Sequence, residues 1–444
     1  MFSVQVFLSA HGCQRKMKVL LFGEEYMQVL VNSSPERPKA SGRRFTMSEK
    51  KNERLSRRQF VKGAAATAGL LVFKSQSVLG TPANSAPQIG VIGCGGRGRF
   101  VGRFFPEHTN AKIAAASDPF ADRLQYANRI FKLDKSRLFD GLDGHKELLE
   151  LDIDAVVVTS PPYFHPEQVA AAVARNKHVY LAKPVAVDVP GCKSILASSK
   201  KAEGKLSFLV DFQTRSEPHF IEAAKRVHSG QIGVPVCGQI FYQTGRLGRQ
   251  DRPGMSRDEA RLRNWVFDKI LSGDIIVEQN IHVLDVSNWY LNSHPIKAVG
   301  TGGRKGRTDV GDCWDHFVVI FWYPNDVKID FSSSQFLEGF HDMCMRVYGT
   351  KGTVDSHYGG PVKITGRSPW EGGDSGNIYA EGTITNVKNF VKSIETGKYL
   401  NNAEESVRSN LTSILGRMAA YSEEVITWEE MLQRNERLET ELRL

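Results

Sequence analysis

The chain is poor in cysteine, has no cysteine pair at ligand spacing and, beyond its first 86 residues, carries no net charge. After that point Cys94, Cys192, Cys237, Cys313 and Cys344 are scattered and odd in number, with neither Cys-x-x-Cys spacing nor a companion histidine cluster. This excludes a disulfide framework and reads as buried thiols. The apolar stretch at residues 63–73 is too short to cross a bilayer unaided. The formal charge of +9 arises wholly in residues 1–86, where 14 Lys/Arg face 5 Asp/Glu, whereas the rest holds 44 of each sign. A basic isoelectric point is therefore no sign of a nucleic-acid partner, and none is expected.

Residues 1–86 read as a leader, not a domain. Ser56-Arg-Arg-Gln-Phe-Val-Lys62 resembles a twin-arginine export signal, and the small, apolar stretch at residues 63–73 follows it. Export of a folded protein to the periplasm or beyond is implied, with cleavage after Gly80 or between Ala83 and Ala86 and no membrane association once the signal is gone. An uncleaved, tethered form is the alternative. Met47 is a natural start for such a leader, which makes residues 1–46 an upstream extension. The remainder is long enough for two domains with cores of their own.

What organises that remainder is a short apolar strand from Gln88 running into Gly93-Cys-Gly-Gly-Arg-Gly98 and then a helix. Gly93, Gly95 and Gly98 have the G-x-G-x-x-G spacing that permits a tight turn, close approach to a pyrophosphate and tight helix–strand packing. Cys94, Gly96 and Arg97 complete this expected cofactor cradle. A second apolar run ends at Asp118, about 20 residues on, where a dinucleotide fold places the acid that binds the ribose hydroxyls and repels a 2′-phosphate. NAD is therefore expected over NADP; the bland alternative is that Asp118 only caps the turn Asp-Pro-Phe. Further strands, over residues 151–159, 178–184 and 206–211, alternate with helices, giving a doubly wound parallel sheet. Gly93, Asp118, Thr159 and Lys183 all lie at carboxyl ends of its strands, where ligands sit.

These pieces resemble the Gfo/Idh/MocA oxidoreductases. The likeness rests on the glycine turn, Thr159-Ser-Pro-Pro-Tyr-Phe-His165, Asn176-Lys-His-Val-Tyr-Leu-Ala-Lys-Pro184, Asp211-Phe-Gln-Thr-Arg215 and a helix carrying Glu278 and His282, and spans nearly the whole mature chain. It implies a Rossmann domain over 87–212 and an α+β substrate domain over 213–444 with an open, mostly antiparallel sheet used for homo-oligomers. It implies too that Lys183 hydrogen-bonds the reacting substrate oxygen beside the nicotinamide, while Thr159, Pro161 and His165 line the nicotinamide ribose. The family's usual Glu-Lys-Pro is Ala182-Lys183-Pro184 here, so the task of that glutamate falls elsewhere.

In the second domain Glu278, His282, Asp285 and Trp289 would share one face of a single helix. Glu278 stands where the family has aspartate. His282 suits a general base, since its ordinary pKa lies near neutrality, with Glu278 or Asp285 to orient it. Two other readings remain: a hydrogen-bonded core histidine, or a metal site, for which no third ligand has suitable spacing, so no metal is expected. Arg215, Asp285 and Trp265, with Arg263 and Asn264 beside the last, are candidate substrate contacts. The expected function is hydride transfer between NAD and a sugar or polyol, with tightly bound cofactor. The alternatives are an NAD-dependent glycoside hydrolase working through transient oxidation at C3, and a sugar-binding protein without chemistry.

Overall fold

The computed structural model describes residues 86–444, so the upstream extension, the twin-arginine motif and the cleavage sites lie outside the described residues. The first half alternates strictly: β1 (Gln88–Ile92), α1 (Gly96–His108), β2 (Lys112–Ser117), α2 (Ala121–Phe131), β3 (Leu138–Phe139), α3 (Gly144–Leu149), β4 (Ala155–Val158), α4 (His165–Ala174), β5 (His178–Ala182), α5 (Val189–Ala202) and β6 (Phe208–Asp211). The strands form one parallel sheet in the order β3-β2-β1-β4-β5-β6. Buried on both faces, β4 is the unbroken apolar run Ala-Val-Val-Val. The strand order reverses between β1 and β4, and there the turn after β1 meets the loop after β4. Gly93, at φ +90°, has room only for hydrogen, because a Cβ there would lie 2.5 Å from the backbone nitrogen of Ser160.

The second half begins with α6 (Pro218–His228), β7 (Pro235–Thr244), α7 (Arg257–Arg263), α8 (Lys269–Ser272), α9 (Ile275–Glu278) and α10 (Ile281–Leu291). Strands β8 (Lys297–Gly303), β9 (His316–Trp322), β10 (Lys328–Gln335), β11 (Asp342–Gly349), β12 (Gly352–His357), β13 (Pro361–Gly366) and β14 (Trp370–Asp374) follow, then α11 (Ile378–Thr396), α12 (Ala403–Ser422), β15 (Ile426–Thr427) and α13 (Trp428–Arg434). Their sheet runs β14-β13-β12-β11-β7-β10-β9-β8-β15. It is antiparallel except for the β7–β10 pair, which is parallel. Its inner face, including Ile240, Phe317, Phe321, Phe331 and Met345, belongs to the same apolar core as Val158 and Leu181 of the first sheet. No helix among the described residues is long and apolar enough to cross a membrane.

Strand β7 enters between β10 and β11 and pairs with both. Two sequence expectations need correction. The segment holding Glu278 and His282 is two helices, not one: Asn280 donates its N–H to the Ile275 carbonyl at 3.0 Å and stands at the N-cap position of α10, where its side chain makes no capping bond. Glu278, His282 and Asp285 therefore do not form a continuous stripe. The last long helix ends at Ser422, where Glu423 takes φ +54° and turns the chain into β15. Of the cysteines, Cys94, Cys192, Cys313 and Cys344 are buried as expected, but Cys237 is exposed.

One helix fixes the segment after Lys183. Asn410 of α12 is fully buried; its Oδ1 accepts from the N–H of Val185 at 2.9 Å and of Ala186 at 3.4 Å, and its Nδ2 donates to the Ala186 carbonyl at 3.1 Å. Arg417, two turns on, donates to the carbonyls of Val187 and Gly273. We expect Asn410→Ala to cost about 2 kcal/mol or more in urea unfolding, since it strands buried backbone N–H groups. A loss below about 0.5 kcal/mol would show that the loop is held by other contacts.

Candidate functional site

The cavity at the switch point is lined by Gly93, Gly95, Gly96, Asp118, Thr159 and Pro161, among others. No side chain caps α1, so its first-turn N–H groups point free toward the cavity, and a Cβ on Gly95 or Gly96 would meet nothing within 4 Å. A helix start without a cap, open space before it and a carboxylate at the end of β2 together fit a pyrophosphate and its ribose. Gly98 serves packing, since a Cβ there would strike the Gly93 carbonyl. Cys94 offers only backbone: its thiol lies in the core and its N–H donates to Asp118 Oδ2 at 2.7 Å. Asp118 Oδ1 accepts from the Phe120 N–H at 2.9 Å, so the acid both caps its turn and faces the cavity. Burial pushes the Asp118 carboxyl up, while Arg123 and the two N–H groups pull it back.

Two expected contacts fall elsewhere. Arg97 touches the cavity, but its guanidinium pairs with Asp211, donates to Thr383 Oγ1 and lies over the Tyr379 ring, tying α1 to α11. His165, expected at the nicotinamide ribose, is buried, its ring nitrogens 2.8 Å from the Ser160 carbonyl and 2.9 Å from the Pro184 carbonyl. Burial pulls its pKa down to about 4, so the neutral ring donates to one of these carbonyls. It braces the loop after β4 against the loop after β5. Thr159 donates to the Gly93 carbonyl at 2.7 Å and stays on the cavity wall with Pro161.

Lys183, one residue beyond β5, donates to the Glu278 carbonyl at 2.6 Å and lies 3.1 Å from Glu278 Oε1. Beside Ala182, the carboxylate that meets this lysine is that of Glu278 at the end of α9. His282 is buried beside the rings of Phe212 and Tyr358, and its Nδ1 has no partner among the described residues. Burial, then the charges of Lys183 and Arg97, hold its pKa well below the usual 6.5, so it is a neutral base at physiological pH. Neither Glu278 nor Asp285 orients it. Asp285 is fully buried and takes a bidentate pair from Arg215 at 2.8–3.2 Å and a bond from Ser409. Arg215 also lies over Trp289, so this pair is a structural clamp, not the expected substrate contact.

Trp265, expected as a substrate contact, lines the glycine-turn cavity with Leu262. Arg263 pairs with Asp122 and Glu259 over the Phe120 ring, and Asn264 holds Asp251 and the Gln250 N–H. No local pattern marks Asn280, whose amide, lying between Glu278 and His282, is buried with both polar atoms unpartnered among the described residues. A buried amide without partners is ordinarily waiting for a ligand or water. Tyr242 and Tyr358, both beside this cluster, enter it from β7 and from the residue after β12. We expect Trp265→Ala to weaken NAD binding about tenfold in a calorimetric titration; an unchanged affinity would remove Trp265 from the nucleotide cavity.

The family profile described as "Oxidoreductase family, NAD-binding Rossmann fold" matches residues 88–210, and that of the GFO/IDH/MocA C-terminal domain matches residues 220–355. The chain is 27% identical over 266 residues to inositol 2-dehydrogenase from Burkholderia cenocepacia (strain HI2424), covering 60% of this chain and 72% of that protein. It is 25% identical over 268 residues to the Acidothermus cellulolyticus inositol 2-dehydrogenase, with the same coverage. Among solved structures, scyllo-inositol dehydrogenase from Lactobacillus casei with bound NAD(H) and scyllo-inositol aligns at TM-score 0.62 and 18% identity, over 78% of this chain and all of that one. Aldose-aldose oxidoreductase from Caulobacter crescentus complexed with glycerol aligns at TM-score 0.63 and 17% identity, over 77% and 99%. With both profiles matched over more than half its length, the chain belongs to the Gfo/Idh/MocA family of oxidoreductases, whose N-terminal domain binds NAD.

Proposed function

We propose that the protein oxidises a hydroxyl of a polyol or sugar to a carbonyl. The observation that carries this is the juxtaposition of Lys183, fixed by Glu278, with the neutral His282, whose Nδ1 has no partner among the described residues. His282 accepts the hydroxyl proton. Lys183 donates a hydrogen bond to the same oxygen, and its charge, with that of Arg97 behind it, favours the oxygen as negative charge develops there. NAD, when bound, supplies the acceptor for the hydride leaving the carbinol carbon. Asn280, Tyr242 and Tyr358 are the polar groups available to hold further hydroxyls. A cyclic polyol or aldose is supported by the names of the relatives, inositol 2-dehydrogenases and an aldose-aldose oxidoreductase.

The twin-arginine pattern supports a periplasmic or extracellular location, where free NAD is scarce. There the cofactor stays tightly bound and is recycled within each cycle by reduction of a second carbonyl compound. A homo-oligomer formed through the open face of the second sheet completes the proposal; Val318 and Tyr348 project there. Glu278 is occupied by Lys183, which favours this redox reading over a hydrolase that needs Glu278 free for proton transfer at C2.

The test is turnover of the NAD-loaded protein across inositols, other polyols and aldoses with a second carbonyl compound as acceptor. We expect reduction of the acceptor by wild type, none by Lys183→Met, and from His282→Gln a kcat lower by about 100-fold or more. Because His282 is held well below 6.5, protonation removes the base only in more acidic solution, so kcat/KM should show no acid-side inflection near that value. Unchanged turnover in Lys183→Met, or an inflection near 6.5 that disappears in His282→Gln, would contradict the assignment.

A further inference from the structure

The second sheet carries a side-chain cluster that the chemistry above does not use. β11 and β12 pair antiparallel with Cys344 directly opposite His357 and Arg346 opposite Asp355. By strand alternation these side chains point away from Met345 and Val347, which enter the core. We propose that Cys344, Asp355 and His357 form a divalent-cation site, with zinc the cation their thiolate, carboxylate and imidazole suit best.

The spacing is that of ligands around a common centre. Cys344 Sγ lies 3.7 Å and His357 Nε2 3.4 Å from Asp355 Oδ1, and the three donor atoms fall within 4.8 Å of one another. Tetrahedral zinc, with bonds of about 2.3 Å to sulfur and about 2.0–2.1 Å to nitrogen or oxygen, spaces its ligands by about 3.3–3.6 Å. His357 is oriented as a metal-binding imidazole is: its Nδ1 sits 2.7 Å from Asp342 Oδ1, which leaves Nε2 to face Asp355 and Cys344. Arg346 Nε donates to Asp355 Oδ1 at 2.9 Å, and a carboxylate has lone pairs enough to accept that bond and ligate as well.

The charges agree. Without a cation, Asp342 and Asp355 are balanced by the Arg346 guanidinium and by His357, whose proton Asp355, Cys344 and Asp342 hold with a pKa raised to about 11, so a divalent cation enters by displacing that proton and the thiol proton. The fourth ligand is water. Cys344 is fully buried and Asp355 and His357 are largely so, which limits competition from solvent. Lying on adjacent strands and outside the Lys183–His282 cluster, the site would cross-link β11 to β12 and leave catalysis untouched. From sequence these residues look unrelated, since the hairpin that unites them was not foreseen.

The test is cobalt(II) titration of the full chain after treatment with chelator. We expect one equivalent to give a thiolate-to-cobalt charge-transfer band with tetrahedral d–d absorption, displaced by zinc, and absent from Cys344→Ser. Asp342→Asn, which spares every ligand, should weaken cobalt binding by about 10–100-fold. A folded wild type that gives no charge-transfer band would overturn the proposal in favour of a charge network alone. So would a band that survives in Cys344→Ser, or an Asp342→Asn affinity equal to wild type. NAD-dependent turnover in Cys344→Ser should match wild type, which keeps this site's failure distinct from failure of the redox reading.

Discussion

Lys183 stands one residue beyond a strand of the nucleotide-binding sheet and bonds to both the carbonyl and the carboxylate of Glu278, at the end of a four-residue helix in the second half of the chain. With side chains 17% and 13% exposed, the pair sits where removal of one partner would leave a poorly solvated charge behind. Much of the surrounding architecture holds these two in register. Asn410 and Arg417 of α12 fix the segment after Lys183, and Arg417 reaches the Gly273 carbonyl just before α9. His165 braces the loop after β4 against Pro184. Asp274 caps α9 through the Ile275 N–H and receives the Tyr421 hydroxyl.

Charge is placed so that one group stays neutral. Buried His282 feels the charges of Lys183 and Arg97, and each disfavours a proton on its ring. Arg97 is itself balanced by Asp211, which Asn386 also holds. Asp285 is consumed by Arg215 and Ser409 and adds no negative charge that would draw a proton back to the histidine. The result is a base that is ready at neutral pH beside a cationic donor, the division of labour that oxidation of an alcohol needs.

The nucleotide half was legible because its signals are local. Glycines at fixed spacing, an acid at the end of the next strand and unbroken apolar runs follow from backbone sterics and from burial on both sheet faces. Lys183 and His282 were legible through family likeness. What failed depended on partners distant in sequence. Arg97, Arg215 and Asp285 were read as ligand contacts, yet each meets an opposite charge from another element, which no local pattern reveals. Helical periodicity carried Glu278 and His282 onto one continuous helix, whereas two residues, Gln279 and Asn280, break it and free the Glu278 carbonyl for Lys183. The substitution of alanine at 182 and of glutamate at 278 looked like two separate departures. The structure brings them together, because Glu278 supplies a carboxylate to the lysine that follows Ala182.

The central claim is that hydride leaves a substrate carbon within reach of Lys183 and His282. It is tested most directly by incubating the wild-type protein and NAD with a polyol deuterated at its carbinol carbons, then measuring the isolated nicotinamide by mass spectrometry. The account predicts deuterium in the reduced cofactor with no dilution from solvent. Deuterium lost to water while the cofactor stays undeuterated would contradict it.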